Sequence, residues 1–292
     1  MGENIYPNEK KEKEKVAIKI EDKQHSISIL KNETRVLEYL ARNGCRTQIP
    51  QIYWFGKINI EQRENHGLVM TYFVGNSLEK EEEIMKEEKE TKINKWMISA
   101  LEIIEKIHFY GVLHRDLKPA HFIFVEKTQK WVLIDFGFAT FFSENIETFE
   151  KEFIIGTPNY ISLNIHNGLQ YTPIDDIWSL IYIYIRILYP ELFIFSLENE
   201  NEKTNIYPQN HILNNENQIR KERKILFNYP DFWEKYLVEI PIQKNKIYLF
   251  IQIILQFEND NNNENNNKNN NKKMKKIPYK YLSSIFELTP KV

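Results

Sequence analysis

Apolar residues near the start of the chain alternate with a period of two. VAIKI, residues 16–20, places Val16, Ile18 and Ile20 on one face and Ala17 and Lys19 on the other, which predicts a β-strand. The period then changes. In SISILKNETRVLEYLARNG, Leu30, Glu33, Leu37, Leu40 and Ala41 recur at helical spacing until Gly44, so the predicted helix carries a carboxylate in its apolar stripe. A glutamate among apolar neighbours is costly unless a cation meets it, and Lys19 is the candidate; a slightly rotated helix would instead leave Glu33 in solvent. IPQIYWFGKI and HGLVMTYFV predict two more strands. The turn-rich GNSL that follows marks the boundary between a β-rich part, residues 1–73, and a helical part, residues 74–292.

In the second part, Ile93, Met97, Ala100, Leu101, Ile104 and Ile107 trace one helical face up to Gly111. The most apolar stretch, WSLIYIYIRILYPELFIF from Trp178 to Phe195, contains Arg186, Pro190 and Glu191 and is short for a bilayer span, so it predicts a buried core helix. EKEEEIMKEEKE, residues 79–90, reads as a solvated charge run. An Asn-rich tract, with the insertion placed at about 258–276, cannot bury apolar surface and predicts disorder between two helical segments, KIYLFIQIILQF and PYKYLSSIFEL.

Composition narrows the classes of function. The 292 residues are 42% hydrophobic, enough for a substantial core. A net charge of −2 provides no basic field for a nucleic-acid backbone, so no nucleic-acid partner is expected. Cys45 is the single cysteine, which excludes an internal disulfide and a Cys-rich zinc site and fits a reducing compartment. The first residues, MGENIYPNEKKEKEK, contain no secretory signal, and Tyr6 stands where a myristoylation motif after Gly2 would need Ser or Thr. A monomer in the cytosol, with the nucleus as the second location and no membrane partner, is the expectation.

The candidate chemistry lies in HRDLKPAHF at 114–122, a following strand from Trp131, DFG at 135–137, GTPNY at 156–160 and DDIWSL at 175–180. Any one triplet is common. Their order after VAIK and the helical Glu33 matches the protein kinase signature set. The stretch GTPNYISLNIHNGLQYTPIDDIWSL resembles the casein kinase 1 and tau-tubulin kinase type, because Ser162-Leu163-Asn164 stands where most kinases have Ala-Pro-Glu. LKNETRVLEYL, LVMTYFVGNSL and PYKYL extend the similarity from about Lys15 nearly to the C-terminus.

The resemblance implies an α+β bilobal fold with a small β-rich lobe and a larger helical lobe, and phosphorylation of Ser/Thr on protein substrates by ATP with Mg²⁺, or Mn²⁺ as the alternative ion. It implies that Lys19 holds the α and β phosphates, Glu33 orients Lys19, Asp135 binds the metal and Asp116 accepts the substrate hydroxyl proton. Lys118 would lie beside the transferred group, which favours Ser/Thr acceptors, and Thr157 would bond Asp116 and Lys118. Asp176 would hold the catalytic-loop backbone, although a plain helix N-cap also fits its position. Around the purine, Met70 would be the gatekeeper, Phe73 would face adenine through its backbone, and Ala17 and Ile123 would enclose the ring.

Three departures set a second expectation beside the first. None of the nine glycines forms G-x-G-x-x-G ahead of VAIK, so the first strand and its phosphate-covering loop are missing from the pattern. Either the sequence begins late or the protein works without that lid. His121 replaces the catalytic-loop Asn, which weakens the second Mg²⁺ site and suits Mn²⁺ or Zn²⁺ better; the alternative is that His121 only hydrogen-bonds to Asp116 or to backbone and leaves a single metal site. Asn159 replaces the arginine with which casein kinase 1 enzymes bind a primed substrate, and no basic cluster substitutes for it between Asn159 and Asp176. The alternative to an active Ser/Thr kinase is therefore a pseudokinase that binds or scaffolds partners.

Overall fold

A computed structural model describes residues 15–22, 28–84, 88–142, 153–190, 206–208, 214–228, 244–266 and 276–287. Among the described residues the first sheet has three antiparallel strands, β1 (Val16–Asp22), β2 (Ile52–Ile60) and β3 (Arg63–Thr71), in the order β1-β3-β2. In β1 the alternation read from sequence decides exposure. Val16, Ile18 and Ile20 face solvent, while Ala17 and Lys19 turn to the more covered side. Helix α1 (Ile29–Arg42) packs against this sheet through Leu30, Val36, Leu37 and Leu40. Ser28 caps its N-terminus by accepting from Lys31 N, and the Glu21 carboxylate accepts from Ile29 N at 2.8 Å, so the end of β1 fixes where α1 begins. Gly44, at φ +93°, ends the helix in the left-handed region.

Residues 72–75 connect β3 to the helical part. Gly75 has no alternative there, since a Cβ would lie 1.9 Å from the Phe124 carbonyl oxygen. β4 (Asn76–Ser77) pairs with β6 (Phe122–Val125), which pairs with β7 (Lys130–Leu133), and β5 (Val112–Leu113) pairs with β8 (Thr140–Phe141). Helix α2 (Leu78–Ile84) follows β4, and α3 (Lys89–Phe109) buries Ile93, Met97, Ala100, Leu101, Ile104 and Ile107, the residues that the periodicity selects. β9 (Phe153–Ile155) pairs with β10 (Ile206–Pro208), and the short α4 (Leu163–His166) leads to α5.

Helix α5 (Pro173–Leu188) is buried on nearly all sides, and its apolar residues fill the core rather than a membrane. Pro173 opens it, and Thr172 and Asp175 close a capping box. Among the described residues no helix is long and apolar enough to cross a bilayer. Helix α6 (Asn214–Ile225), helix α7 (Lys244–Asn266) and helix α8 (Tyr279–Glu287) complete the second lobe, with α3 packed on α5 and α8. A β-rich small lobe beside a helical large lobe is the α+β bilobal arrangement expected.

The Asn-rich tract is corrected at its start. Helix α7 runs to Asn266, and Glu258 accepts from Trp178 Nε1 at 3.2 Å and Asn164 Nδ2 at 3.1 Å. Tertiary bonds to α5 and α4 therefore extend a helix into residues whose composition suggests irregular chain. Residues 267–275 lie outside the described residues, as do 191–195 and the first residues with Gly2 and Tyr6.

Candidate active site

Lys19 stands at the centre of a closed set of charges. Its Nζ donates to Glu33 Oε1 at 2.9 Å, Glu33 Oε2 at 2.8 Å and Asp135 Oδ1 at 2.9 Å. Glu33 is 1% exposed, so the rotated-helix alternative is excluded and the carboxylate in the apolar stripe has found its cation. Phe136 N also donates to Glu33 Oε1 at 3.1 Å, tying α1 to the segment that carries Asp135. Burial drives the Glu33 pKa upward, against the pull of Lys19. For Lys19, burial acts downward, but the charges of Glu33 and Asp135 outweigh it and raise the ammonium. Burial likewise opposes ionisation of Asp135, yet the Lys19 ammonium, by charge and hydrogen bond, holds its carboxyl well below the usual range.

Backbone geometry places Asp135. Ile134 N donates to the His121 carbonyl at 2.9 Å, which brings the residue before β6 beside the residues after β7. Asp135 itself has φ +65°, a sparsely populated conformation held by its ion pair with Lys19.

Asp116, 2% exposed, accepts from Thr157 Oγ1 at 2.7 Å. Lys118 Nζ lies 3.6 Å from Asp116 Oδ2 and donates to Thr157 Oγ1 at 3.4 Å, so the three residues expected to work together form one cluster. The loop beneath them hangs on Asp176, whose Oδ2 accepts from His114 N at 2.9 Å and whose Oδ1 accepts from Arg115 N at 3.0 Å. The N-cap alternative for Asp176 does not hold: Thr172 is the N-cap, and its backbone N donates to Asp175 Oδ2 at 2.6 Å in the capping box. His108 Nε2 meets Asp176 Oδ2 at 2.9 Å, and the other ring nitrogen of His108 bonds the Tyr279 hydroxyl of α8.

His121 is 6% exposed, and its Nδ1 lies 2.8 Å from the Asp116 carbonyl oxygen. A carbonyl can only accept, so Nδ1 carries the proton and Nε2 presents a lone pair 3.3 Å from Asp135 Oδ2. Burial, against the opposing charges of Asp135 and Asp116, lowers the His121 pKa to about 4, and the neutral ring is the form present near pH 7. Two acceptors facing each other fit a cation that both could bind, with the Nδ1 bond fixing the ring as outer partners of metal-bound histidines do. The described residues contain no group of three or more such side chains, so nucleotide oxygens would complete the shell. Ala17 and Met70 face each other in the β1–β3 register, Phe73 lies in the 72–75 connection, and Ile123 pairs with Ser77 in β6.

Sequence reasoning missed several supports. Asn32, one position before Glu33, donates from Nδ2 to Gly137 O at 3.0 Å and Ala139 O at 2.8 Å; within the polar run Lys31–Arg35 nothing local marks it out. The link through Tyr279 crosses 171 positions of sequence and leaves no local pattern. Near Asn159, the cations come from α6, outside the window in which sequence reading looks for them: Arg220 Nε donates to Asn159 Oδ1 at 3.2 Å.

The family model described as "Protein kinase domain" matches residues 2–280. The chain is 32% identical over 186 residues to a protein of Encephalitozoon cuniculi named "probable casein kinase I homolog", covering 62% of this chain and 58% of that protein. It is 27% identical over 197 residues to casein kinase I homolog 1 of Schizosaccharomyces pombe, covering 64% of this chain and 41% of the relative. Casein kinase I homolog 2 of the same yeast is 24% identical over 253 residues, 81% of this chain and 55% of the relative. The aligned stretches thus span about half the length of these relatives.

Proposed function

Because this chain belongs to the protein kinase domain family, we propose that it transfers the γ-phosphoryl group of ATP to Ser or Thr hydroxyls of protein substrates. The observation that carries this reading is the adjacency of two assembled sets, Lys19–Glu33–Asp135 and Asp116–Thr157–Lys118, joined through His121. Phosphoryl transfer asks the protein chiefly for positioning and charge neutralisation. Lys19 neutralises phosphate oxygens while Glu33 keeps it in place. Asp135, ionised across the neutral range, and His121 through Nε2 are the residues that would hold a divalent ion. Such an ion, when bound, draws charge from the phosphates and eases departure of ADP.

Asp116 takes the acceptor hydroxyl proton as the new P–O bond forms, and Thr157 fixes which way its carboxylate points. Lys118 offsets negative charge on the transferred group. Casein kinase I names among the relatives favour Ser/Thr over Tyr acceptors. A reducing compartment, cytosol or nucleus, suits the free buried Cys45. A competing reading, a partner-binding pseudokinase, draws support from His121 in the metal site.

Incubation of the chain with γ-labelled ATP, Mg²⁺ or Mn²⁺, and a degenerate peptide library with Ser, Thr or Tyr at a fixed position tests the proposal. Label in the Ser and Thr pools is expected. Nucleotide binding without label in any pool would favour the pseudokinase.

A further inference from the structure

Helix α6 carries two cations that its exposed composition hides. Arg220 and Lys224 stand four residues apart on one face of the helix, and each is 1% exposed, whereas Glu222 is exposed. A buried ammonium is costly unless each of its donors is met. Lys224 Nζ donates to Pro158 O at 2.9 Å, Ile161 O at 2.6 Å and His166 Nε2 at 3.2 Å, and it lies 4.5 Å from the centre of the Tyr182 ring. Burial, and after it the charges of Lys224 and Arg220, keep His166 neutral, the form that can accept through Nε2.

The acceptors define what the cage holds. Pro158 and Ile161 bracket the segment that begins at Thr157, the residue bonded to Asp116 at 2.7 Å. Arg220 reaches Asn159 in the same segment, and Ser179 Oγ of α5 donates to Tyr160 O at 2.8 Å. Three carbonyls and one side-chain amide of residues 158–161 are therefore held by side chains of α5 and α6. Core stability alone does not call for this arrangement, because an apolar residue at position 224 could fill the same space beside Tyr182 at lower desolvation cost.

We propose that Lys224 is a positioning residue for phosphoryl transfer: it fixes residues 157–161 so that Thr157 orients Asp116 and the acceptor chain docks against a rigid segment. Arg220 supports it through Asn159. The inference rests on the kinase reading above, and its test separates the two.

Lys224→Met keeps the apolar stem and removes the three donors. Amide hydrogen exchange of residues 156–162 should rise at least about tenfold in this variant, while that of α3 stays as in wild type, the loss of charged hydrogen bonds being worth roughly that factor. KM for the acceptor peptide should rise about tenfold with the Kd for nucleotide unchanged, since the Lys19 set is not touched. Paired with Thr157→Val, the two losses should combine to less than their product, because both act through Asp116. Lys224→Gln, which keeps two donors, should be intermediate and serves if the methionine variant does not fold. Unchanged exchange at 156–162, or fully multiplicative losses with Thr157→Val, would overturn the proposal. So would a uniform rise in exchange across α3 and α5, which would make Lys224 a general core support. If wild type transfers no phosphate yet the segment loosens selectively, the clamp stands and the kinase reading fails.

Discussion

At the scale of single residues, the chemistry of this site was legible wherever a side chain's type and spacing stated its task. Lys19 and Glu33 were paired from the cost of leaving a carboxylate in an apolar stripe, and they meet at 2.8 Å. His121 illustrates what spacing cannot show. Its substitution for Asn was visible, but its tautomer follows only from the Asp116 carbonyl at 2.8 Å, a contact across a turn. With Nε2 as the ligand atom, His121→Asn should raise kcat with Mg²⁺ on the order of tenfold, about 1.4 kcal/mol of transition-state stabilisation, and leave nucleotide affinity nearly unchanged. The preference of wild type for Mn²⁺ should shrink in the variant, because imidazole suits Mn²⁺ better than Mg²⁺. Mn²⁺ binding followed by electron paramagnetic resonance, with steady-state rates in both ions, checks this. Equal metal preference in the two proteins would remove His121 from the metal site.

At the scale of elements, periodicity placed β1, α1 and α3, and a continuous apolar run placed α5. Helices α1 and α3 bury the apolar stripe that the spacing marks, α5 is buried nearly all round, and β1 turns Ala17 and Lys19 rather than its β-branched face to the covered side. Sequence pattern failed at α7, where Asn-rich composition argued for irregular chain and tertiary bonds decided otherwise. Glu258 holds that extension, and burial raises its pKa to about 7 from an ordinary 4.5. The folded state therefore binds this proton more tightly than the unfolded state does. Its contribution to stability is fully present below about pH 4.5 and is lost as pH rises through about 7. Glu258→Gln keeps an oxygen for Trp178 and Asn164 and removes the charge. It should be more stable than wild type above pH 7 by roughly 1–3 kcal/mol, and the difference should shrink steadily toward pH 4.5. Urea unfolding at several pH values measures it; a pH-independent difference would mean that Glu258 is not the group that titrates. Helix α6 was also hard to read, since Arg220 and Lys224 look like ordinary surface cations until the fold turns their face inward.

At the scale of the molecule, the division into a β-rich and a helical lobe could be read from the change of period after β3, and the site lies where strands of the first meet loops of the second. Contacts between distant parts of the chain were not legible: Lys19 to Asp135 spans 116 positions and His108 to Tyr279 spans 171. These long-range bonds bring separately recognisable motifs into one cluster, and the proposal that this cluster transfers phosphate is the claim on which the functional reading depends. Parallel measurement of nucleotide Kd and of peptide phosphorylation in wild type and Asp116→Asn tests it most directly. The account predicts a loss of kcat of at least about 100-fold in the variant with Kd changed less than about threefold, because the base acts on the acceptor and not on ATP. Equal phosphorylation by the two proteins would contradict it.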